Sequence, residues 1–193
     1  MKQSEIIIQE ILYQCLEKKM FSGTQAELSR TLKFSLSTVN RTITVLARIG
    51  AIVVHARNFE IIDAKKILYY WASTRNLKKD IIYQTRVDLP VREIQKLMPS
   101  TIKFTAYTAY VLRFKDVPAD YSEVYVYGDT TLEGRFPKKE GPPNLFVLRF
   151  DPHLQRYTSV PIATIFVDLW NCKEWYAKEF IKALEVRLNG ILE

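Results

Sequence analysis

The 193-residue sequence has no apolar run near the roughly 20 residues that cross a membrane. Its opening, Met1-Lys2-Gln3-Ser4-Glu5, is polar ahead of Ile6-Ile7-Ile8 and lacks the apolar core and small-residue cleavage site of a signal peptide. A cytoplasmic protein without a membrane partner is expected. Cysteine and histidine are scarce. Cys15 and Cys172 are too few for a disulfide framework. With His55 and His153 they give no zinc-site spacing, because no two of the four lie close together. There is no Walker loop and no Gly-x-Gly-x-x-Gly turn. No metal and no cofactor are expected. Internal repeats and low-complexity segments are also missing.

Catalytic sets are equally hard to find. No Ser-His-Asp or Cys-His set presents itself, and the two histidines fall in different halves. Asp129, Asp151 and Asp168 are the tempting carboxylates. A polymerase-type nucleotidyltransferase needs a Gly-Ser turn followed by closely spaced paired aspartates that hold magnesium. Tyr127-Gly128-Asp129 offers neither the serine nor the second carboxylate. Asp168, between Val167 and Leu169, suits a capping or paired group, and His153 after Asp151-Pro152 suits a turn. An enzyme is not expected.

What is present is a globular composition, 48% apolar and 25% charged, with enough apolar matter to bury a core. The net charge is +7. Residues 1–75 hold 11 basic and 6 acidic side chains (+5), so the excess lies in the first two-fifths of the chain. A basic small domain suits phosphate-backbone binding, although charge alone fits a merely soluble basic surface equally well.

The hydrophobic periods give an order of elements. Ile8, Ile11, Leu12, Cys15 and Leu16 form one stripe of a helix over 5–19, with Cys15 as a buried core thiol. Ser22-Gly23 marks a turn. Thr24-Gln25-Ala26-Glu27 fits a capping box that opens a second helix, ending near Lys33. A third runs from about Leu36 to Ile49 and closes at Gly50, where a left-handed cap is wanted. The period then changes to two. Residues 51–55 and 59–62 read as a hairpin turning at Ala56-Arg57-Asn58, and Asp63 caps a helix over about 64–77. In that helix, Tyr69-Tyr70-Trp71 cannot bury every ring on one face, so some packs on a second domain or a second protomer.

Polar Asn76-Leu77-Lys78-Lys79-Asp80 is the expected domain boundary. Beyond it, strands are expected over 81–87, 123–127 and 144–150. A short helix should follow Pro90, and further helices are expected over 161–169 and about 173–192. The last carries Ala177, Phe180, Ile181, Leu184, Leu188 and Ile191 as an apolar stripe. Residues 101–114 carry both a strand and a helix signal. Residues 132–143 read as loop, with Arg135, Lys138 and Lys139 as a solvated basic stretch.

Three helices followed by a hairpin is the order of a winged helix-turn-helix, whose third helix enters the major groove. The third helix divides cleanly. Val39, Ile43, Leu46 and Ile49 face a core, whereas Ser37, Arg41, Thr44 and Arg48 recur on another face. Thr38 and Asn40 flank its N-terminal end. Hydroxyls at a helix start approach phosphates beside free backbone amides, and arginine takes guanine O6 and N7 as a pair. Arg57 and Asn58 at the hairpin tip stand where a wing touches minor groove or backbone. A polar face with two arginines is usually only solvated. The element order, the capping box and the basic balance together favour DNA.

The string from Ser35 to Ile52, SLSTVNRTITVLARIGAI, resembles the recognition helix of bacterial and archaeal winged-helix regulators. In the second half, Phe104 to Tyr110, Glu123 to Tyr127, Pro161 to Trp170 and Trp175 to Phe180 resemble the C-terminal domain of abortive-infection (AbiEi-type) antitoxins. The loop-rich stretch at 132–143 departs from that pattern. The resemblance implies a repressor of its own toxin–antitoxin operon, functionally linked to a nucleotidyltransferase toxin without a stable complex.

The expectation is therefore an α+β, two-domain regulator: a winged helix-turn-helix over 1–77 and a mixed α/β domain over 81–193. Its partner is operator double-stranded DNA, and a homodimer is left open. Two alternatives stand beside it, a winged-helix protein-interaction module and an effector-sensing regulator with no antitoxin role.

Overall fold

The computed structural model describes residues 1–192, with side chains through Asn189. The side chain of Ile191, expected on the last helical stripe, lies outside the described residues. The chain is α+β, with nine α-helices and two small sheets among the described residues. No helix among them is long and apolar enough to cross a membrane. Two compact units emerge: Met1–Arg75 with Pro161–Ala163 and Glu185–Glu193, and Asn76–Val160 with Thr164–Leu184. This differs from the single division expected between residues 77 and 81. Residues 161–163 and 185–193 belong with the first unit.

In the first unit, α1 (Gln3–Lys18) is followed by β1 (Ser22–Gly23), α2 (Gln25–Leu32) and α3 (Leu36–Arg48). Then come β2 (Ile52–Val54), β3 (Phe59–Ile61) and α4 (Ala64–Thr74). The capping box forms: Thr24 Oγ1 accepts from the Glu27 amide at 3.1 Å, and Glu27 Oε2 accepts from the Thr24 amide at 3.1 Å. Gly50 takes φ +70°, a conformation that a Cβ would strain. Ser22-Gly23, read as a turn, is instead a short strand. It pairs antiparallel with β3 (Ser22↔Glu60, Gly23↔Phe59), giving the sheet order β1-β3-β2. A two-residue strand has no period to read. A Cβ on Gly23 would stand 3.1 Å from the Phe59 ring, so a larger residue on this edge would push against that ring.

Ile7, Ile11, Leu12, Cys15, Leu28, Leu32, Val39, Ile43, Leu46, Phe59, Ile67, Leu68 and Trp71 are buried in this unit. Burial pushes the Cys15 thiol up to about 11. Arg75 and Glu5, both buried, pair at 3.2 Å and tie the end of α4 to the start of α1. Tyr69, half-buried, donates to Glu185, and the Ile162 amide donates to Glu17 at 2.8 Å. These bonds bring late segments of the chain into the first unit.

The second unit is built on β4 (Ile81–Thr85), α5 (Val91–Lys96), β5 (Lys103–Thr105), α6 (Ala106–Phe114) and β6 (Val124–Gly128). It continues with α7 (Leu132–Arg135) and β7 (Leu145–Arg149). The helices α8 (Ile162–Trp170) and α9 (Ala177–Leu192) follow. The sheet order is β4-β7-β6-β5, with β6 and β7 parallel and the other pairs antiparallel. One face, with Val124, Val126, Leu145 and Val147, packs on Ile94 of α5 and on Leu132 and Phe136. On the other face, register aligns Gln84, Phe146, Tyr125 and Thr105 in one row.

Both signals in residues 101–114 are real and sequential. The chain changes from β5 to α6 at Ala106, which takes φ +48°. The expected loop at 132–143 contains α7, so that reading is corrected. Its Leu132 plugs the sheet core, but four residues are too short for a periodic signal. The basic stretch there is pinned: Arg135 donates to the Leu97 carbonyl at 2.5 Å, Lys138 to the Gln84 carbonyl at 2.6 Å, and Lys139 pairs with Asp88.

Candidate nucleic-acid interface

The helix α3 is strongly two-sided. Val39, Ile43 and Leu46 are buried, and Ile49 is half-buried at its end. Ser37, Asn40, Arg41, Thr44 and Arg48 are exposed on the other side, and Thr38 is half-buried. The division follows from 3.6 residues per turn, because positions 37, 41, 44 and 48 stack within one stripe. A partner can therefore touch these side chains without reaching the core.

At the helix start, Ser35 is the N-cap, and its Oγ accepts from the Thr38 amide at 3.2 Å. The Ser37 and Thr38 hydroxyls lie 3.0 and 2.9 Å from the same oxygen. Three hydroxyls thus converge at the positive end of a helix dipole. Asn40 is already engaged, its Nδ2 donating to Gln25 Oε1 at 3.1 Å. That bond links the exposed starts of α2 and α3 and adds Gln25 to the face. Sequence periodicity missed Gln25, because it lies on a different helix. Arg41 also borders a groove of about 380 Å³ shared with Lys2, Glu5 and Tyr70.

The β2–β3 hairpin carries the other candidates. The His55 amide donates to the Asn58 carbonyl at 2.8 Å, so Ala56 and Arg57 form the apex. Arg57 and Asn58 are exposed. His55 Nε2 lies 3.6 Å from Glu60 Oε2 at the surface, which places one carboxylate beside the tip.

The carboxylates weighed for catalysis stand apart. Asp129 accepts from the Thr131 hydroxyl and, at 2.9 Å, from the Thr131 amide in an exposed turn, and the two bonds hold its carboxyl below the ordinary range. Asp151 caps the 3-10 turn Pro152–Arg156. Asp168 is fully buried, and its Oδ2 accepts from Thr105 Oγ1 and Tyr127 OH, both at 2.7 Å. No group of three His, Cys, Asp or Glu among the described residues could hold a metal ion. Trp71 is buried, whereas Trp170 and Trp175 are exposed.

Comparison with protein families, with curated proteins and with solved structures finds no match for this chain.

Proposed function

We propose that the protein is a sequence-specific DNA-binding regulator that reads its operator with α3. The observation that carries this reading is the exposed stripe Ser37, Arg41, Thr44 and Arg48 on a helix whose opposite side is buried. The order helix, strand, helix, helix, strand, strand supports the reading as a winged helix-turn-helix. In this reading α2 and α3 are the helix-turn-helix and the β2–β3 hairpin is the wing. Arg41 and Arg48 read base edges, preferring guanine O6 and N7. Ser37, Thr38 and the first amides of α3 sit on phosphate. Arg57 and Asn58 contact backbone or minor groove and position the helix without reading sequence.

The finer reading, autorepression of a toxin–antitoxin operon, is supported by the resemblance of the second half to AbiEi-type antitoxins. Its test is growth rescue when the chain is expressed with a nucleotidyltransferase toxin encoded beside it.

The deciding experiment for DNA binding compares promoter DNA with scrambled DNA of equal length at several salt concentrations. Specific binding should fall with a log–log slope of about −0.9 per phosphate neutralised. A flat salt response, or equal affinity for both DNAs, would move the protein-interaction module ahead.

A further inference from the structure

The second unit holds a cleft of about 740 Å³ at its edge strand β4. That size lies within the roughly 300–1,000 Å³ of small-molecule sites. Aromatic rings form part of its wall. Phe146 stacks on Tyr125 with centroids 4.5 Å apart and planes 9° from parallel. Phe146 is half-buried, so the pair is not sealed into the core.

Three lysines line the same space: Lys78, Lys138 and Lys173. Lys138 is fixed in place, its ammonium 5.7 Å from the Tyr83 ring centroid and 2.6 Å from the Gln84 carbonyl. Lys78 and Lys173 are exposed and face one another, and neither has an ion-pair partner among the described residues. Lys173 holds Lys78 below the ordinary lysine range, because its ammonium can donate a hydrogen bond only to the uncharged Lys78 amine and repels the charged one. Glu174 is the carboxylate in the cleft. It accepts from Tyr107 at 2.9 Å and Tyr125 at 3.1 Å, so it is tied back to the aromatic wall. Converging ammoniums repel until an anion sits between them, and ammonium is a common phosphate ligand.

We infer that this cleft binds a small phosphorylated ligand bearing a planar ring, of the nucleotide class, with phosphate at Lys78 and Lys173 and the ring against Phe146. The cations select the phosphate. The aromatic wall selects the ring, since stacking on a side chain accepts any base. The volume of about 740 Å³ is sufficient for one nucleotide. This site is independent of the DNA-binding reading, and its test contains no DNA.

The test is calorimetric titration of the full chain with ADP, AMP, ribose 5-phosphate and pyrophosphate. ADP should saturate one site. Lys78→Ala and Lys173→Ala should each weaken ADP and pyrophosphate about ten-fold, in line with a lost charge-assisted bond. Phe146→Leu should weaken ADP about ten-fold and leave pyrophosphate within about two-fold. Circular dichroism of each variant checks the fold. If Phe146→Leu fails to fold, AMP against ribose 5-phosphate gives the same comparison without a mutation, and AMP should bind more tightly. No saturable ADP binding at millimolar concentration overturns the site. So does unchanged affinity in the double lysine variant. Equal binding of AMP and ribose 5-phosphate overturns the nucleotide class.

Discussion

The two units place their polar side chains oppositely. On α3 most lie outside an apolar core, Ser37, Asn40, Arg41, Thr44 and Arg48 being exposed, and those with partners bond within the local helix pair. In the second unit several lie inside, on β5 and on the helices α6 and α8. Thr105, Thr108 and Asp168 are buried, and the bonds to Asp168 join residues far apart in sequence. The first unit does have its own buried ion pair, Glu5–Arg75, and Glu5 lines the groove that Arg41 borders. The contrast separates two kinds of polar residue. A buried group whose partners are all protein supports the fold, and its loss leaves donors orphaned. An exposed group on a well-anchored helix adds little stability and is available to a partner.

The largest effect should come from Asp168→Ala. It strips the acceptor from two buried hydroxyls, Thr105 Oγ1 and Tyr127 OH. At about 1–3 kcal/mol per orphaned group, the chain should lose roughly 2–6 kcal/mol. Urea unfolding measures it, and Asp168→Asn should recover part of the loss. A loss near zero would erase the contrast between the units.

The opposite pole is Arg41→Ala. Thermal stability should stay within about 0.5 kcal/mol, because the side chain is exposed and the anchoring residues Val39, Ile43 and Leu46 are untouched. Operator affinity should fall by about 1–3 kcal/mol, with relaxed preference at one base pair. Titrating operator and scrambled DNA at one salt concentration reads both. Unchanged discrimination with an intact fold would leave the face merely solvated.

These two poles were unequally legible. The exposed face of α3 follows from one period in one helix, so Ser37, Arg41, Thr44 and Arg48 could be grouped from sequence. The pairing of Asp168 with Thr105 and Tyr127 depends on sheet register and on α8 meeting it, and no local pattern encodes either. Asp168 was legible as a paired group but not its partners. The cleft lysines show the same limit, since Lys78 and Lys173 lie at opposite ends of the second unit's sequence. Short elements escaped as well. β1 and α7 are held by tertiary contacts, the Phe59 ring over Gly23 and Leu132 in the sheet core, and are too short for periodicity to betray. The expected start of the last helix near Lys173 moved to Ala177. Apolar spacing marks a stripe well but places a helix end poorly.

A smaller effect sharpens the contrast from inside the first unit. Burial raises the Cys15 thiol from 9.0 to about 11. The group is raised in the folded state, so its contribution is fully present below pH 9. It fades as pH climbs towards 11, because the unfolded chain releases this proton more readily. The melting temperature should therefore decline across pH 9–11, and Cys15→Val should flatten part of that decline. An identical alkaline slope in the variant would mean that Cys15 is not desolvated as its burial implies.

The smallest effect belongs to Arg57→Ala at the hairpin tip. Arg57 is exposed at the apex of the β2–β3 turn, and the turn closes through backbone, His55 to Asn58 at 2.8 Å. Truncating the side chain therefore leaves the hairpin intact, and stability should not move beyond about 0.5 kcal/mol. A tip cation meets phosphate or groove shape, which carries no direct base code. Operator and scrambled DNA should weaken by the same factor, and the log–log salt slope should shrink by about one contact's worth. Arg41→Ala should change the ratio between the two DNAs, whereas Arg57→Ala should change both affinities and leave the ratio alone. If Arg57→Ala altered base preference at one position, the hairpin would be a reader and not a support. The division of labour on the first unit would then have to be redrawn with the tip beside α3.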